Sequence, residues 1–332
     1  MAQPRRIAVT EVNHWHSTYD AAYLKILTEL KLEIVGVSDA NLSIAEDRAR
    51  QFGTKAFQDY RALVESTRPD FVIALGRHID MPEIARFLID RGVPFLMEKP
   101  MGTEAATVAG LADLVERSGA WVAVPFPNRY SPFAVKAKEM VAAGAFGAVS
   151  HLTIRLIRPT MDRYKVWDSP WMWDRKLAGG GALTNLGGHG MDLVPYVTGQ
   201  PVRVASAVIS NVVHAAEVED YALATLRTAG GILAHVEVGY TMPTWPQNSS
   251  DIEMKVAGAK CLLRVVPAGL HILAPDRDEI IPTPMTATSS YFAFVQDCLA
   301  RVGAGQPPAI SARDCANAVA LIHDAYHLAG RV

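Results

Sequence analysis

Phe71-Val72-Ile73-Ala74-Leu75, then the helical pattern at 82–90, then Phe95-Leu96-Met97, is the stretch that decides the fold class. Unbroken apolar runs of three to five residues fit strands covered on both faces. Two such runs joined by an amphipathic helix read as a parallel pair. Working outward, the same alternation continues in both directions. Strand-like runs stand at Arg6–Thr10 and Glu33–Ser38 before it and at 121–124 after it. Helical patterns fill 18–30, 43–52, 60–66 and Ala105–Ser118. The first 125 residues therefore predict an α/β domain built on a doubly wound parallel sheet.

From about residue 149 the texture changes. The segments 149–158, 203–213, 220–228, 232–240, 251–257 and 261–266 show partial period-2 alternation. Turn residues such as Ala229-Gly230-Gly231 and Ala257-Gly258-Ala259 separate several of them. That pattern predicts a second, α+β domain with an open, mostly antiparallel sheet. Helices are expected near 289–302 and 312–328. Pro125, Pro127 and Pro132 interrupt regular structure, so the domains are expected to span 1–125 and 126–332.

Bulk properties narrow the function. The 332 residues carry 32 Lys plus Arg against 34 Asp plus Glu, a formal net charge of -2. Such a balance offers no electrostatic footprint for nucleic acid or an anionic membrane. Cys261, Cys298 and Cys315 lack metal-type spacing and read as buried reduced thiols. The start, Met1-Ala2-Gln3-Pro4-Arg5-Arg6-Ile7-Ala8-Val9, has too short an apolar run for a signal peptide. No apolar run approaches the roughly 20 residues that span a bilayer. A cytoplasmic location is the expectation.

A doubly wound domain binds a dinucleotide at the turn after its first strand, where glycines let backbone approach the pyrophosphate. Here that turn reads Thr10-Glu11-Val12-Asn13-His14-Trp15-His16, without a glycine. Asn13 tolerates left-handed backbone. Ser17-Thr18-Tyr19-Asp20 has capping-box character, so a helix is expected to start there and offer free N–H groups to an anion. His14 and His16 either donate to phosphate or pack the turn. A metal held by the pair is disfavoured, because no third ligand stands at a suggestive spacing. Asp39 ends the second strand, where a carboxylate can accept from ribose hydroxyls. Ala40 beside it supplies no cation for a 2′-phosphate, which favours NAD over NADP.

Glu98-Lys99-Pro100 closes the fifth strand-like run. Arg129-Tyr130-Ser131-Pro132 opens the second half, and Gly179-Gly180-Gly181-Ala182-Leu183-Thr184-Asn185-Leu186-Gly187-Gly188-His189-Gly190-Met191-Asp192 follows. With these motifs the chain resembles the Gfo/Idh/MocA oxidoreductases nearly end to end, relatives of glucose–fructose oxidoreductase and inositol dehydrogenase. The resemblance implies a Rossmann domain and an open-sheet domain whose exposed face makes a homodimer or homotetramer. It also implies hydride transfer between NAD(P) and a carbinol carbon of a sugar, cyclitol or related polyol. The implied catalytic residues are Lys99, His189 and Asn185. The implied nucleotide set is Thr10, Val12, Asn13, His14, Asp39, Leu75, His78, Glu98 and Lys99. Lys99, Arg129, Trp173, Asn185 and His189 are the implied substrate contacts.

The residue chemistry agrees. Lys99 stands at the carboxyl end of a parallel strand, the ligand-binding edge of such sheets. Its ammonium can stabilise developing alkoxide charge. The Lys99–Pro100 peptide is a candidate for cis geometry. His189 precedes a helical run and can exchange the alcohol proton, with Asp192 one turn on as a candidate to orient it. Lys99 and His189 are expected to meet beside the nicotinamide. Asn185 stands where the family commonly has aspartate, and an amide cannot take up a proton. Trp171 and Trp173 fit either a pocket wall for sugar C–H faces or a core contact. The glycine-free turn and Asn185 leave two other readings open. One is a non-catalytic ligand-binding or regulatory relative. The other is an enzyme that retains its NAD and epimerises or eliminates.

Overall fold

The computed structural model describes residues 3–243, 250–283 and 287–331. Met1 and Ala2, part of the N-terminal run considered above, lie outside them. The chain divides into two compact units that are not contiguous in sequence. The first comprises Met1–Pro125, Tyr164–Gly179 and Tyr291–Asn317. The second comprises Phe126–Arg163, Gly180–Ser290 and Ala318–Val332.

In the first unit, β1 (Arg6–Thr10), β2 (Glu33–Ser38), β3 (Ala56–Phe57), β4 (Phe71–Ala74), β5 (Phe95–Met97) and β6 (Val122–Ala123) form one parallel sheet. Its order is β3-β2-β1-β4-β5-β6, so the direction of winding reverses between β1 and β4. Ile7 to Val9, Phe71 to Ala74 and Phe95 to Met97 are buried, which explains the unbroken apolar runs. Helices Leu42–Phe52, Tyr60–Thr67, Met81–Asp90 and Ala105–Ser118 stand where the periodicity predicts them. The two-residue β3 carries too little pattern to be legible.

The helix after β1 departs from expectation. It runs from Tyr23 to Glu29, not over 18–30. Asp20 and Ala22 adopt left-handed backbone (φ 50° and 52°), which breaks a right-handed helix there. Ser17 Oγ donates to the Val12 carbonyl at 2.7 Å, and the helix begins after Ala22, which has no side-chain cap.

In the second unit, β7 (Val149–Pro159), β8 (Val202–Ser210), β9 (Tyr221–Thr228), β10 (Leu233–Met242), β11 (Asp251–Gly258), β12 (Leu262–Val266), β13 (Gly269–Ala274) and β14 (Arg277–Pro282) form the second sheet. Its order is β14-β13-β12-β11-β7-β10-β9-β8. The β7–β10 pair is parallel and the other pairings are antiparallel. One face carries buried Leu152, Ile154, Ala234, Val236, Val256 and Leu263. The alternate positions Val208, Leu233, Leu273 and Ile280 are exposed. β13 and β14, which the sequence pattern does not announce, extend the sheet at one edge.

Candidate active site

The first turn is closed by its own hydrogen bonds. Val12 N–H donates to Ser38 O (3.0 Å), His14 N–H to Glu11 O (3.1 Å) and Ser17 N–H to His14 O (2.9 Å). Thr18 and Tyr19 N–H both donate to Trp15 O. Asn13 N–H donates to Asp39 Oδ2 at 2.6 Å, and Asn41 N–H to Asp39 Oδ1 at 2.9 Å. Asp39 thus stitches the end of β2 to the turn, and burial still raises its pKa against those two bonds. Thr10 Oγ1 and the Leu75 backbone exchange two hydrogen bonds of 3.1 Å across β1 and β4. The expected free N–H groups at a helix start are therefore not there: the turn has consumed them.

Behind the turn lies a buried polar cluster. Glu98 Oε1 accepts from Tyr23 Oη at 2.6 Å and lies 2.8 Å from His16 Nδ1, and its Oε2 accepts from Lys99 N–H at 3.2 Å. Burial pushes this carboxyl up, but His16, His14 and Lys99 together hold it well below the usual carboxylate range. Lys99 is buried, its pKa lowered by that burial against the pull of Glu98. The Lys99–Pro100 peptide is cis. His14 stacks on Trp15 with ring centroids 4.0 Å apart. Burial lowers the pKa of both His14 and His78, the latter to about 3, so both imidazoles are neutral.

The fold brings His14 and His16 the third donor their spacing did not offer. Ligand atoms of His14, His16 and Glu98 lie within 4.8 Å of one another. Proton bookkeeping nevertheless disfavours a metal. His14 Nδ1 accepts from His16 N–H at 3.1 Å, so Nε2 carries the proton and has no lone pair to give. His16 Nδ1 is already engaged with Glu98.

In the second unit the glycine block is tightly enclosed. A Cβ on Gly181 would stand 1.9 Å from the Glu219 carbonyl oxygen, and one on Gly180 2.1 Å from Tyr326 Oη. Glu219 Oε1 accepts from Gly181 N–H (2.9 Å), Leu183 N–H (2.8 Å) and Tyr326 Oη (2.7 Å). It thereby holds the start of the π-helical turn Leu183–Gly187, which runs into helix Gly188–Thr198. Such turns are frequent at functional sites. Asn185, on that turn, donates from Nδ2 to Tyr240 Oη at 2.8 Å. His189 meets Phe126 edge to face, with centroids 6.1 Å apart. Arg129 Nε donates to Asp192 Oδ2 at 2.8 Å and its Nη2 to Oδ1, a two-pronged ion pair with little exposure.

The structure therefore gathers Thr10, Val12, Asn13, His14, Asp39, Leu75, His78, Glu98 and Lys99 within the first unit. Arg129, Asn185 and His189 belong to the second. Trp173 belongs to the first, where Lys165 Nζ sits 3.6 Å above its ring. Sequence reasoning missed Glu11 and Glu219. Glu11 follows β1 directly, with φ 46°, and its pKa is raised to about 7 by burial and by Asp39. Its one signal was an acidic side chain where a glycine was wanted. Glu219 gave no sequence signal, because its partners lie 36 to 107 positions away.

A dinucleotide finds no backbone cradle in this turn, yet polar side chains stand ready for one. His14 Nε2, His78 Nε2 and Trp171 Nε1 are buried and have no hydrogen-bond partner among the described residues. With the Asp39 and Lys99 side chains, these atoms fit a dinucleotide through side chains. Among the described residues no helix is long and apolar enough to cross a membrane. The three cysteines are buried and form no disulfide among the described residues.

Comparisons with known proteins follow the same division. Residues 6–126 match the model described as oxidoreductase family, NAD-binding Rossmann fold, and residues 134–264 the GFO/IDH/MocA C-terminal domain. The chain is 30% identical over 304 residues to the dTDP-3,4-didehydro-2,6-dideoxy-alpha-D-glucose 3-reductase of Streptomyces violaceoruber, covering 86% of this chain and 83% of that one. It is 26% identical over 201 residues to the D-glucoside 3-dehydrogenase of Escherichia coli (strain K12), covering 60% of this chain and 56% of that one. Against several such dehydrogenases the chain spans about half of their length. The structure of GenD2 from gentamicin A biosynthesis, in complex with NAD, superposes with a TM-score of 0.83 at 22% identity. It covers 99% of this chain and 95% of that one, a likeness of fold.

Proposed function

Because the chain belongs to the Gfo/Idh/MocA oxidoreductase family, we propose that it oxidises or reduces a carbinol carbon of a sugar, cyclitol or related polyol. The observation that carries this reading is Lys99, a buried lysine at the carboxyl end of β5 whose charge is set against Glu98. Bound NAD supplies the hydride acceptor or donor. Lys99 holds the substrate hydroxyl and stabilises its alkoxide character. His189 exchanges the hydroxyl proton, and Asn185 positions that hydroxyl through its amide. Arg129, fixed by Asp192, and Trp173 complete the substrate contacts in this proposal. Thr10, Val12, Asn13, His14, Leu75, His78 and Glu98 line the nucleotide.

NAD is the proposed form. Asp39 and Glu11 put two carboxyl groups at the ends of β2 and β1, where a 2′-phosphate would meet negative charge. The apolar positions Val208, Leu233, Leu273 and Ile280 on the open sheet face support a homodimer or homotetramer, which sedimentation would check. A cytoplasmic location remains part of the proposal.

Lys99→Met tests the assignment. Turnover of sugars and polyols should fall by about 10² to 10⁴, while NADH binding, read by its fluorescence, persists. Undiminished turnover would sink the role given to Lys99. The closed hydrogen bonding of the first turn favours one rival, a relative that binds ligands without catalysis. Absence of NADH binding by the wild type would select it.

A further inference from the structure

Three buried nitrogens around Trp171 have a defined hydrogen-bonding polarity and no partner among the described residues. His78 Nδ1 lies 2.7 Å from the Ala178 carbonyl oxygen, which can only accept. The proton is therefore on Nδ1, and Nε2 presents a lone pair. His14 has the opposite tautomer: its Nδ1 accepts from His16 N–H, so Nε2–H is a donor. Trp171 Nε1–H can only donate. The indole lies 5.0 Å from the His78 ring and 5.9 Å from the His14 ring, centroid to centroid. The Lys99 charge helps to lower the pKa of both imidazoles, after burial.

Two donors and one acceptor, all uncharged, restrict the ligand. A phosphate offers only acceptors and would face the His78 lone pair. A metal ion would face two N–H groups. An apolar ligand would leave all three nitrogens desolvated and unpaired. A primary carboxamide supplies what is missing, a carbonyl oxygen for the donors and an N–H for the acceptor.

We propose that His14, His78 and Trp171 form a carboxamide-reading site for the nicotinamide amide. His14 Nε2–H and Trp171 Nε1–H donate to its oxygen, and His78 Nε2 accepts from its nitrogen. The inference rests on the dinucleotide reading above and assigns these positioning residues to one group of that ligand.

The test is binding, measured calorimetrically on the full chain stripped of nucleotide. The ligands are NAD, its 3-acetylpyridine analogue, which keeps the carbonyl but lacks the amide N–H, and ADP-ribose, which lacks the ring. The wild type should bind NAD about tenfold more tightly than the analogue, the value of one lost hydrogen bond. His78→Phe should abolish that preference and leave ADP-ribose unaffected. Trp171→Phe should weaken NAD and the analogue equally, again sparing ADP-ribose. Circular dichroism checks that each variant is folded, and either variant alone is enough to decide the question. Equal wild-type affinity for NAD and the analogue overturns the proposal. So does an ADP-ribose loss as large as that for NAD, which would give the three nitrogens to ribose or phosphate. If the wild type binds none of the three ligands, the dinucleotide reading itself fails, and this site with it.

Discussion

Replacing Glu11 by Gln should make the protein more stable above pH 7 and leave it unchanged near pH 4.5. The folded environment raises this carboxyl from an ordinary 4.5 to about 7, first by burial and then by the charges of Asp39 and Asp80. Arg77 and the Ala40 N–H, which donates to Oε2 at 3.4 Å, pull the other way. Below pH 4.5 both folded and unfolded chains hold the proton, and Glu11 costs nothing. Between 4.5 and 7 the folded chain keeps a proton that the unfolded chain has released, so stability falls as pH rises. Above 7 the full penalty remains. A difference of about 2.5 pH units at about 1.36 kcal/mol each gives about 3 kcal/mol. Partial exposure of Glu11 trims this to about 2 kcal/mol.

Gln keeps the shape and the Ala40 hydrogen bond but never acquires the charge. Urea unfolding of both proteins, followed by tryptophan fluorescence at pH 5 and pH 8, gives two stability differences. The variant should exceed the wild type by only about 0.5 kcal/mol at pH 5 and by about 2 kcal/mol at pH 8. His14, His78 and Glu98 titrate identically in both proteins and cancel. A stability difference that is the same at both pH values would refute the reasoning, because it would mean that Glu11 acts through packing and not through its charge.

Gly181→Ala should destabilise the second unit by about 3 kcal/mol, since the new methyl meets the Glu219 carbonyl oxygen and backbone cannot step aside; thermal melting reads this directly. His189→Gln should lower turnover by about 10² or more with nucleotide affinity intact, checked by pairing steady-state rates with NADH titration. The double change Glu11→Gln, Asp39→Asn removes both carboxyl groups from the ends of β1 and β2. It should narrow the preference for NAD over NADP by about tenfold or more in competitive binding. Leu273→Glu on the open sheet face should lower the sedimenting mass if that face joins subunits, since an unpaired charge does not survive in such an interface.

The sequence by itself determined the layered architecture. Strands such as β1, β4 and β5 are buried on both faces, so their apolar runs report their environment locally. The helices between them report theirs through periodicity. The block Gly179–Asp192 and Glu98-Lys99-Pro100 were legible as ordered motifs through which the chain resembles its family. Tertiary structure decided what the first turn became. Its missing glycines announced a departure, but the closing bonds come from Ser38 and Asp39, a strand away. A left-handed Asp20 and Ala22 delayed the helix against its capping signal. The proton positions on His14 and His78 were set by partners at His16 and Ala178, the second 100 positions along the chain. Glu219 likewise holds the π-helical turn from far outside it. Apolar patterning is a local property of the chain, whereas a hydrogen-bond partner or a desolvation penalty exists only once distant segments have met.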